Sequence, residues 1–285
     1  MTFEHCHYQI DGGKVATLEL GDKQTADVSV VFLHGWLDNA ASFTTVMTAL
    51  AHQLPHAHLC AVDLPGHGLS FHKASPHFYS FHDYIDDVYQ VLAKLSPNRT
   101  VLVGHSLGAL IASCYSAAFP EQVAGLVQIE GDGPLAETPE CSVTRLRQGV
   151  LSRQRIRRKP ERLMSSADEA IARRASVNSL TEAQITPFVL RGVKQTEQGW
   201  AWRHDTALQS DSLYRMSHQH AQAIRDAIVC PQIIVLGEQG FSHLKPMMSE
   251  ANPVREFVTL SGGHHCHLEH PSRVSDLIFG LVNKI

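Results

Sequence analysis

Gly104-His105-Ser106-Leu107-Gly108 sets a serine between two glycines, after the apolar run Val101-Leu102-Val103 and before a helical pattern over Leu107–Phe119. A serine hydroxyl attacks a carbonyl only when a base takes its proton and donors receive the oxyanion. A sharp strand-to-helix turn supplies part of this. It lifts the side chain above a sheet at a helix N-terminus, where N–H groups favour negative charge. The turn is tight, so small residues must flank the serine. Ser106 is the expected nucleophile. A chance G-x-S-x-G is the competing reading, and the strand–turn–helix context argues against it.

The base must come from elsewhere. Gly262-Gly263-His264-His265-Cys266-His267-Leu268-Glu269-His270-Pro271 follows a strand-like run and offers four histidines. Coming first after the Gly-Gly turn, His264 is best placed to reach Ser106, with His265 as the alternative. The cluster could instead suggest a metal. No carboxylate or cysteine cluster elsewhere completes a tetrahedral set, however, and adjacent histidines converge poorly on one ion. Neither a metal nor a cofactor is expected.

A carboxylate should orient the imidazole and stabilise its charged form. Glu130 and Asp132 stand just past the apolar run Val123–Ile129, and Glu238 just past Ile233–Leu236. A charge at the end of a buried strand is costly unless it is paired. Glu130 is the first choice, then Asp132, then Glu238. Two further turns lie close to this chemistry. In His34-Gly35-Trp36 the glycine allows a close approach to Ser106, and His34 is expected to brace the loop. Asp63-Leu64-Pro65-Gly66-His67-Gly68-Leu69-Ser70 is expected to be structural.

The elements that position these groups follow from periodicity. Short apolar runs at Val28–Leu33, Leu59–Val62, Val101–Val103, Val123–Ile129, Ile233–Leu236 and Glu256–Leu260 alternate with helical patterns at Ala40–Gln53, Phe81–Leu95, Leu107–Phe119 and Pro271–Lys284. That is the pattern of an α/β fold with a mostly parallel sheet covered on both faces. Glu4–Ile10 and Lys14–Leu20 meet at Asp11-Gly12-Gly13 and read as a hairpin. From about 133 to 217 the alternation stops. This segment is expected to be an inserted helical cap on a core made of 1–132 and 218–285.

The chain has 285 residues, 44% hydrophobic and 18% charged, with a net charge of -4. This excludes neither fold nor enzyme, but it gives no reason to expect nucleic acid as a partner. The six cysteines form no C-x-x-C pair and read as reduced thiols. The N-terminus shows no secretory pattern and no run is long enough to span a membrane, so a cytoplasmic protein acting on a small molecule is expected. The oligomeric state is not legible.

With these motifs in hand, the sequence resembles the α/β-hydrolase superfamily over essentially its whole length. HGW, DLPGHGLS, GHSLG and GGHHCHLEHP stand in family order and at family-like spacing. The resemblance implies the α/β-hydrolase fold, with the catalytic histidine seven residues before a proline, as His264 stands before Pro271. It implies oxyanion donors at the backbone N–H groups of Trp36 and Leu107. It also marks a departure, because Gly240 stands where the family commonly has its aspartate. More narrowly, Ile129-Glu130-Gly131-Asp132-Gly133-Pro134 and the stretch from Arg191-Gly192 to His204-Asp205 resemble the serine-hydrolase-like branch. Haloalkane dehalogenases are similar in plan, and some place a glutamate acid at the position matching Glu130. Their nucleophile is an aspartate, which argues against dehalogenation here.

The resulting expectation is a serine hydrolase cleaving a small ester or thioester in a mainly apolar pocket under the cap. Acyl transfer, carbon–carbon bond hydrolysis, perhydrolysis, or a hydrolase-derived small-molecule sensor would use the same residues. Eight basic residues crowd Arg145–Arg162 beside one acid, Glu161. They read as a solvated helix face, with steering of an anionic substrate as the alternative.

Overall fold

The computed structural model describes residues 2–249 and 254–285. The chain opens with an antiparallel hairpin, β1 (Glu4–Ile10) and β2 (Gly13–Leu20), turning at Asp11-Gly12 as the sequence requires. There follow β3 (Ser29–Leu33), α1 (Thr44–Gln53), β4 (His58–Val62), α2 (Asp83–Leu95), β5 (Thr100–His105), α3 (Leu107–Ala118) and β6 (Gly125–Ile129). An excursion then carries β7 (Ala136–Glu137), α4 (Ser142–Arg157), β8 (Leu163–Met164), α5 (Ala167–Asn178), α6 (Glu182–Gly192), β9 (Val193–Thr196), β10 (Gly199–Trp202) and β11 (Met216–Ser217). The chain returns through α7 (His218–Asp226), β12 (Gln232–Gly237), β13 (Arg255–Leu260), α8 (Cys266–Glu269) and α9 (Pro271–Val282).

Among the described residues the main sheet has eight strands in the order β1-β2-β4-β3-β5-β6-β12-β13. Every pair from β4 to β13 is parallel, while β1 and β2 join antiparallel. Parallel strands covered on both faces need apolar residues at nearly every position. In β3, Val30 and Phe32 join one core cluster with Phe43, Met47 and Ile278, while Val31 and Leu33 join another with Val88, Leu92 and Tyr115. Each such side chain contributes about 1.5–3 kcal/mol on burial. With β3, β5 and β6 adjacent, the loops at their C-terminal ends meet above the middle of the sheet.

Two expectations need revision. The helix expected from Ala40 begins at Thr44, because Ala40–Phe43 forms a 3-10 turn. Asn39 caps that turn by accepting from Ala41 N at 3.1 Å, and Ala40 N donates to Asp63 Oδ1 at 2.8 Å. The excursion is also not wholly helical. Beside α4, α5 and α6 it carries a three-stranded sheet, β8-β10-β9. The hairpin β9–β10 turns at Glu197-Gln198, with Thr196 Oγ1 donating to Gly199 O at 2.8 Å. At Gly199 φ is +137°, and a Cβ there would meet the Met164 carbonyl oxygen at 2.7 Å.

β7 and β11 pair in parallel, so the excursion leaves and rejoins the core side by side. Its hold on the core includes a buried ion pair between Arg191 and Asp63, with Nε 3.0 Å and Nη2 2.9 Å from Oδ2. The Arg-rich run lies on and just beyond α4 and is largely exposed. Two of its arginines, Arg153 and Arg157, stack over the Phe78 ring at 4.7 and 5.1 Å. Among the described residues, no helix is long and apolar enough to cross a membrane.

Candidate active site

β5 ends at His105 and α3 begins at Leu107, leaving Ser106 alone at the turn with φ 50° and ψ -114°. Such a conformation costs of order 1–3 kcal/mol and persists only where its surroundings hold it. Here Ser106 N donates to Ile129 O at 2.8 Å, and the Ser106 carbonyl accepts from Ala109 N and Leu110 N at 3.0 and 3.1 Å. The flanking glycines are required by space. A Cβ on Gly108 would lie 1.9 Å from the Leu33 carbonyl oxygen, and one on Gly104 would lie 2.4 Å from Ala109 N.

Glu130 extends from the end of β6, also at positive φ (53°), and its carboxylate is buried. Oε1 accepts from Gly237 N at 2.7 Å, while Oε2 accepts from Phe241 N at 2.8 Å and lies 3.1 Å from His264 Nδ1. Burial alone would raise its pKa. Hydrogen bonds from His264, Phe241 and Gly237 outweigh that, so the carboxyl stays below its ordinary value and remains charged. A carboxylate accepting at Nδ1 fixes the imidazole proton there and leaves Nε2 as the basic nitrogen.

The other two carboxylates lie elsewhere. Asp132 is buried against the Arg255 guanidinium, and Glu238 is exposed. Leu107 is the first residue of α3, where backbone N–H groups lack an intrahelical acceptor. The loop bearing Trp36 lines the same pocket as Ser106, and the Trp36 indole donates to Leu208 O at 2.9 Å. His34 bridges two loops. It accepts from Leu64 N through Nε2 at 3.0 Å, which makes Nδ1 the donor to Gly35 O at 2.7 Å. Asp63 accepts from Ala40 N and Leu69 N at 2.8 Å each, a structural role like that of His34.

Sequence reasoning missed a second cluster in the same pocket. Asp38 is 2% exposed and meets Arg174 Nη2 at 2.6 Å, His265 Nε2 at 3.2 Å and His105 Nδ1 at 3.7 Å. Burial works against its charge, but His265, Arg174 and His105 hold its carboxyl well below the ordinary value. Asp38 comes from the loop after β3, His105 from the elbow, Arg174 from α5 and His265 from the last loop. No local spacing could reveal that meeting. The only sequence signal is an aspartate lodged just beyond an apolar strand.

The pocket encloses about 350 Å³. Trp36, Val177 and Phe241 supply apolar wall, but Asp38, His105, Arg174, Asn178 and His265 surround Ser106 and His264 as well. The expected mainly apolar cavity is apolar by only a small margin, with many polar groups set into its wall. The cause is α5, which turns Arg174 and Asn178 inward. None of the basic residues over Arg145–Arg162 lines this wall.

The model for the alpha/beta hydrolase fold matches residues 28–271, most of the chain. The chain belongs to the α/β-hydrolase family. Among curated members it is 26% identical to the serine hydrolase-like protein of Danio rerio over 262 residues, 87% of this chain and 79% of that one. Among solved structures, the hypothetical protein PA1622 of Pseudomonas aeruginosa PAO1 superposes with a TM-score of 0.88 at 29% identity, covering 99% of this α/β hydrolase and all of that chain. The thioesterase domain of the curacin biosynthetic pathway has a TM-score of 0.86, covering 98% of this chain and 100% of its own. At 21% identity that likeness speaks for the fold alone.

Proposed function

We propose that this α/β hydrolase cleaves a small carboxylic ester or thioester through an acyl-enzyme on Ser106. One observation carries the reading. The His264–Glu130 contact of 3.1 Å stands in a pocket whose wall includes Ser106 at its strained turn. His264 Nε2 takes the hydroxyl proton as Ser106 Oγ attacks the carbonyl carbon. The N–H groups of Trp36 and Leu107 receive the developing oxyanion, and Glu130 stabilises the imidazolium. His264 then protonates the leaving oxygen or sulfur. Water, deprotonated by the same nitrogen, releases the acid and restores Ser106.

A cavity of about 350 Å³ is near the lower end for small-molecule sites, which favours a compact acyl group. The excursion over 133–217, which contributes Arg174, Val177 and Asn178, acts as the cap that selects it. The name of the serine hydrolase-like relative agrees with this reaction class.

The test is labelling with a fluorophosphonate, with the adduct mapped by mass spectrometry, beside turnover of 4-nitrophenyl esters and acyl thioesters of graded length. The expected adduct is on Ser106, and Ser106→Ala should lose both label and turnover. Label on another residue, or undiminished turnover in Ser106→Ala, rejects the mechanism.

A further inference from the structure

His105 Nε2 lies 2.8 Å from the His264 carbonyl oxygen. A carbonyl only accepts, so Nε2 carries the proton and Nδ1 of the neutral ring is a lone pair. That Nδ1 is buried and has no hydrogen-bond partner among the described residues. It faces Asp38 Oδ2 at 3.7 Å, and His265 Nε2 lies 3.2 Å from the same oxygen. All three ligand atoms fall within 4.8 Å of one another. Two lone pairs facing each other in a buried place call for a positive charge between them.

We infer that Asp38, His105 and His265 form a binding site for one divalent transition cation on the pocket wall beside Ser106. Two imidazole nitrogens and one carboxylate oxygen suit zinc, nickel, copper or ferrous iron, whereas magnesium and calcium prefer all-oxygen sets. Tetrahedral ligands about 2.0–2.1 Å from zinc stand roughly 3.4 Å apart. The two contacts to Asp38 are already near that spacing, so only the two imidazoles must draw together. Three protein ligands leave a fourth position open towards the pocket that Ser106 and His264 share.

The surrounding groups fit the loaded state. Arg174 engages Asp38 Oδ1, which leaves Oδ2 for the cation. Binding takes the His265 Nε2 lone pair, so its proton moves to Nδ1 and the ring stays neutral. The Nδ1 proton then needs an acceptor. Asn178 Nδ2 stands 3.0 Å from that nitrogen and 3.1 Å from Nε2, while Asn178 Oδ1 is buried without a partner among the described residues, so a turn of the amide that brings Oδ1 to Nδ1 provides one. A cation held there stands in the wall of the pocket that Ser106 shares, so we expect it to inhibit the proposed reaction and not to take part in it. The binding itself does not depend on that reaction.

The test uses the full chain stripped of metal. Calorimetric titration with Zn²⁺ should give one cation per chain, and Co²⁺ should produce visible ligand-field bands. His265→Gln and Asp38→Asn should each weaken Zn²⁺ binding by about 100-fold or more, since even second-shell losses cost 10–100-fold. His218→Gln and His220→Gln, at exposed histidines, should leave it unchanged. Circular dichroism checks that each variant folds. If Asp38→Asn does not fold, His265→Gln and the wild-type Co²⁺ spectrum decide. Ester turnover should fall with Zn²⁺, recover with chelator, and resist Zn²⁺ in His265→Gln. No Co²⁺ bands in the wild type, or Zn²⁺ affinity unaltered by His265→Gln, overturns the site whatever the ester assays show.

Discussion

A Cβ on Gly240 would lie 2.1 Å from Glu130 Oε1. The two positions compete for one place behind His264. The family's common acid site, after β12, is a glycine here because the end of β6 already fills the space with a carboxylate. The departure in sequence and the contact in space are therefore one fact.

Glu130→Gln keeps the shape but not the charge, and its amide favours the wrong imidazole tautomer. We expect kcat to fall by several orders of magnitude, on the scale of the ~10⁴ seen when a triad carboxylate becomes an amide. Glu238→Gln should leave kcat nearly unchanged. Asp132→Asn should lose stability by weakening the contact with Arg255, with chemistry retained in the folded fraction. Ester kinetics and urea melts on the three variants separate these outcomes; an active Glu130→Gln with an inactive Glu238→Gln would place the acid after β12.

The competition predicts that the acid can be moved. Gly240→Asp alone should be damaging, because the new side chain collides with Glu130. Combined with Glu130→Gly, the same substitution has room. The double variant should turn over faster than Glu130→Gly alone, and a double-mutant cycle measures the coupling. A double variant no better than that single change would mean that position 240 cannot reach His264.

His267 predicts a pH effect on stability. Its ring is buried, and among the described residues neither nitrogen finds a hydrogen bond. Burial first, then the neighbouring His265, pushes its pKa from 6.5 down to about 3. Between those values the unfolded chain binds a proton that the folded chain refuses, so stability is lost as pH falls through that window. The slope is about 1.4 kcal/mol per pH unit from this group. His105, His67 and His34 shift in the same direction, again through burial first. His267→Leu should remove about 2 kcal/mol of the stability difference between pH 7.5 and pH 5. Urea unfolding at both values tests this, and an unchanged difference sinks it.

Val177 is 79% exposed on α5 and helps line the pocket. Val177→Trp should narrow the space above Ser106. The ratio of kcat/KM for a butyryl over an octanoyl ester should rise about 10-fold, a shift of the size that a few apolar contacts supply. An unmoved ratio would mean that α5 does not meet the acyl chain.

Much of this was legible in the sequence, for reasons particular to each residue. The strand-to-helix turn at Ser106 was readable because its strand, turn and helix are contiguous. His264 was readable from its place after a Gly-Gly turn and its distance to Pro271. Glu130 required a strand end together with the absence of an acid at Gly240. Asp38, Arg174 and His105 were not readable as a group, because what unites them is tertiary. Arg173 and Arg174 are neighbours on α5, yet only Arg174 turns in to Asp38, a choice made by packing. The hairpin β9–β10 escaped notice because Glu197-Gln198 is not a common turn pair, and its cue was Gly199.

The parallel pairing of Ala136–Glu137 with Met216–Ser217 means that the chain enters and leaves the excursion at neighbouring points, while contacts such as Arg191–Asp63 hold its body to the core. A segment whose two ends touch can be lengthened, shortened or exchanged without pulling on β6 or α7. Swapping it between relatives needs only two neighbouring cuts, and Ser106, Glu130 and His264 all lie outside the transplant. If the excursion selects the substrate, as proposed, its sequence can diverge while the residues on the sheet stay in place.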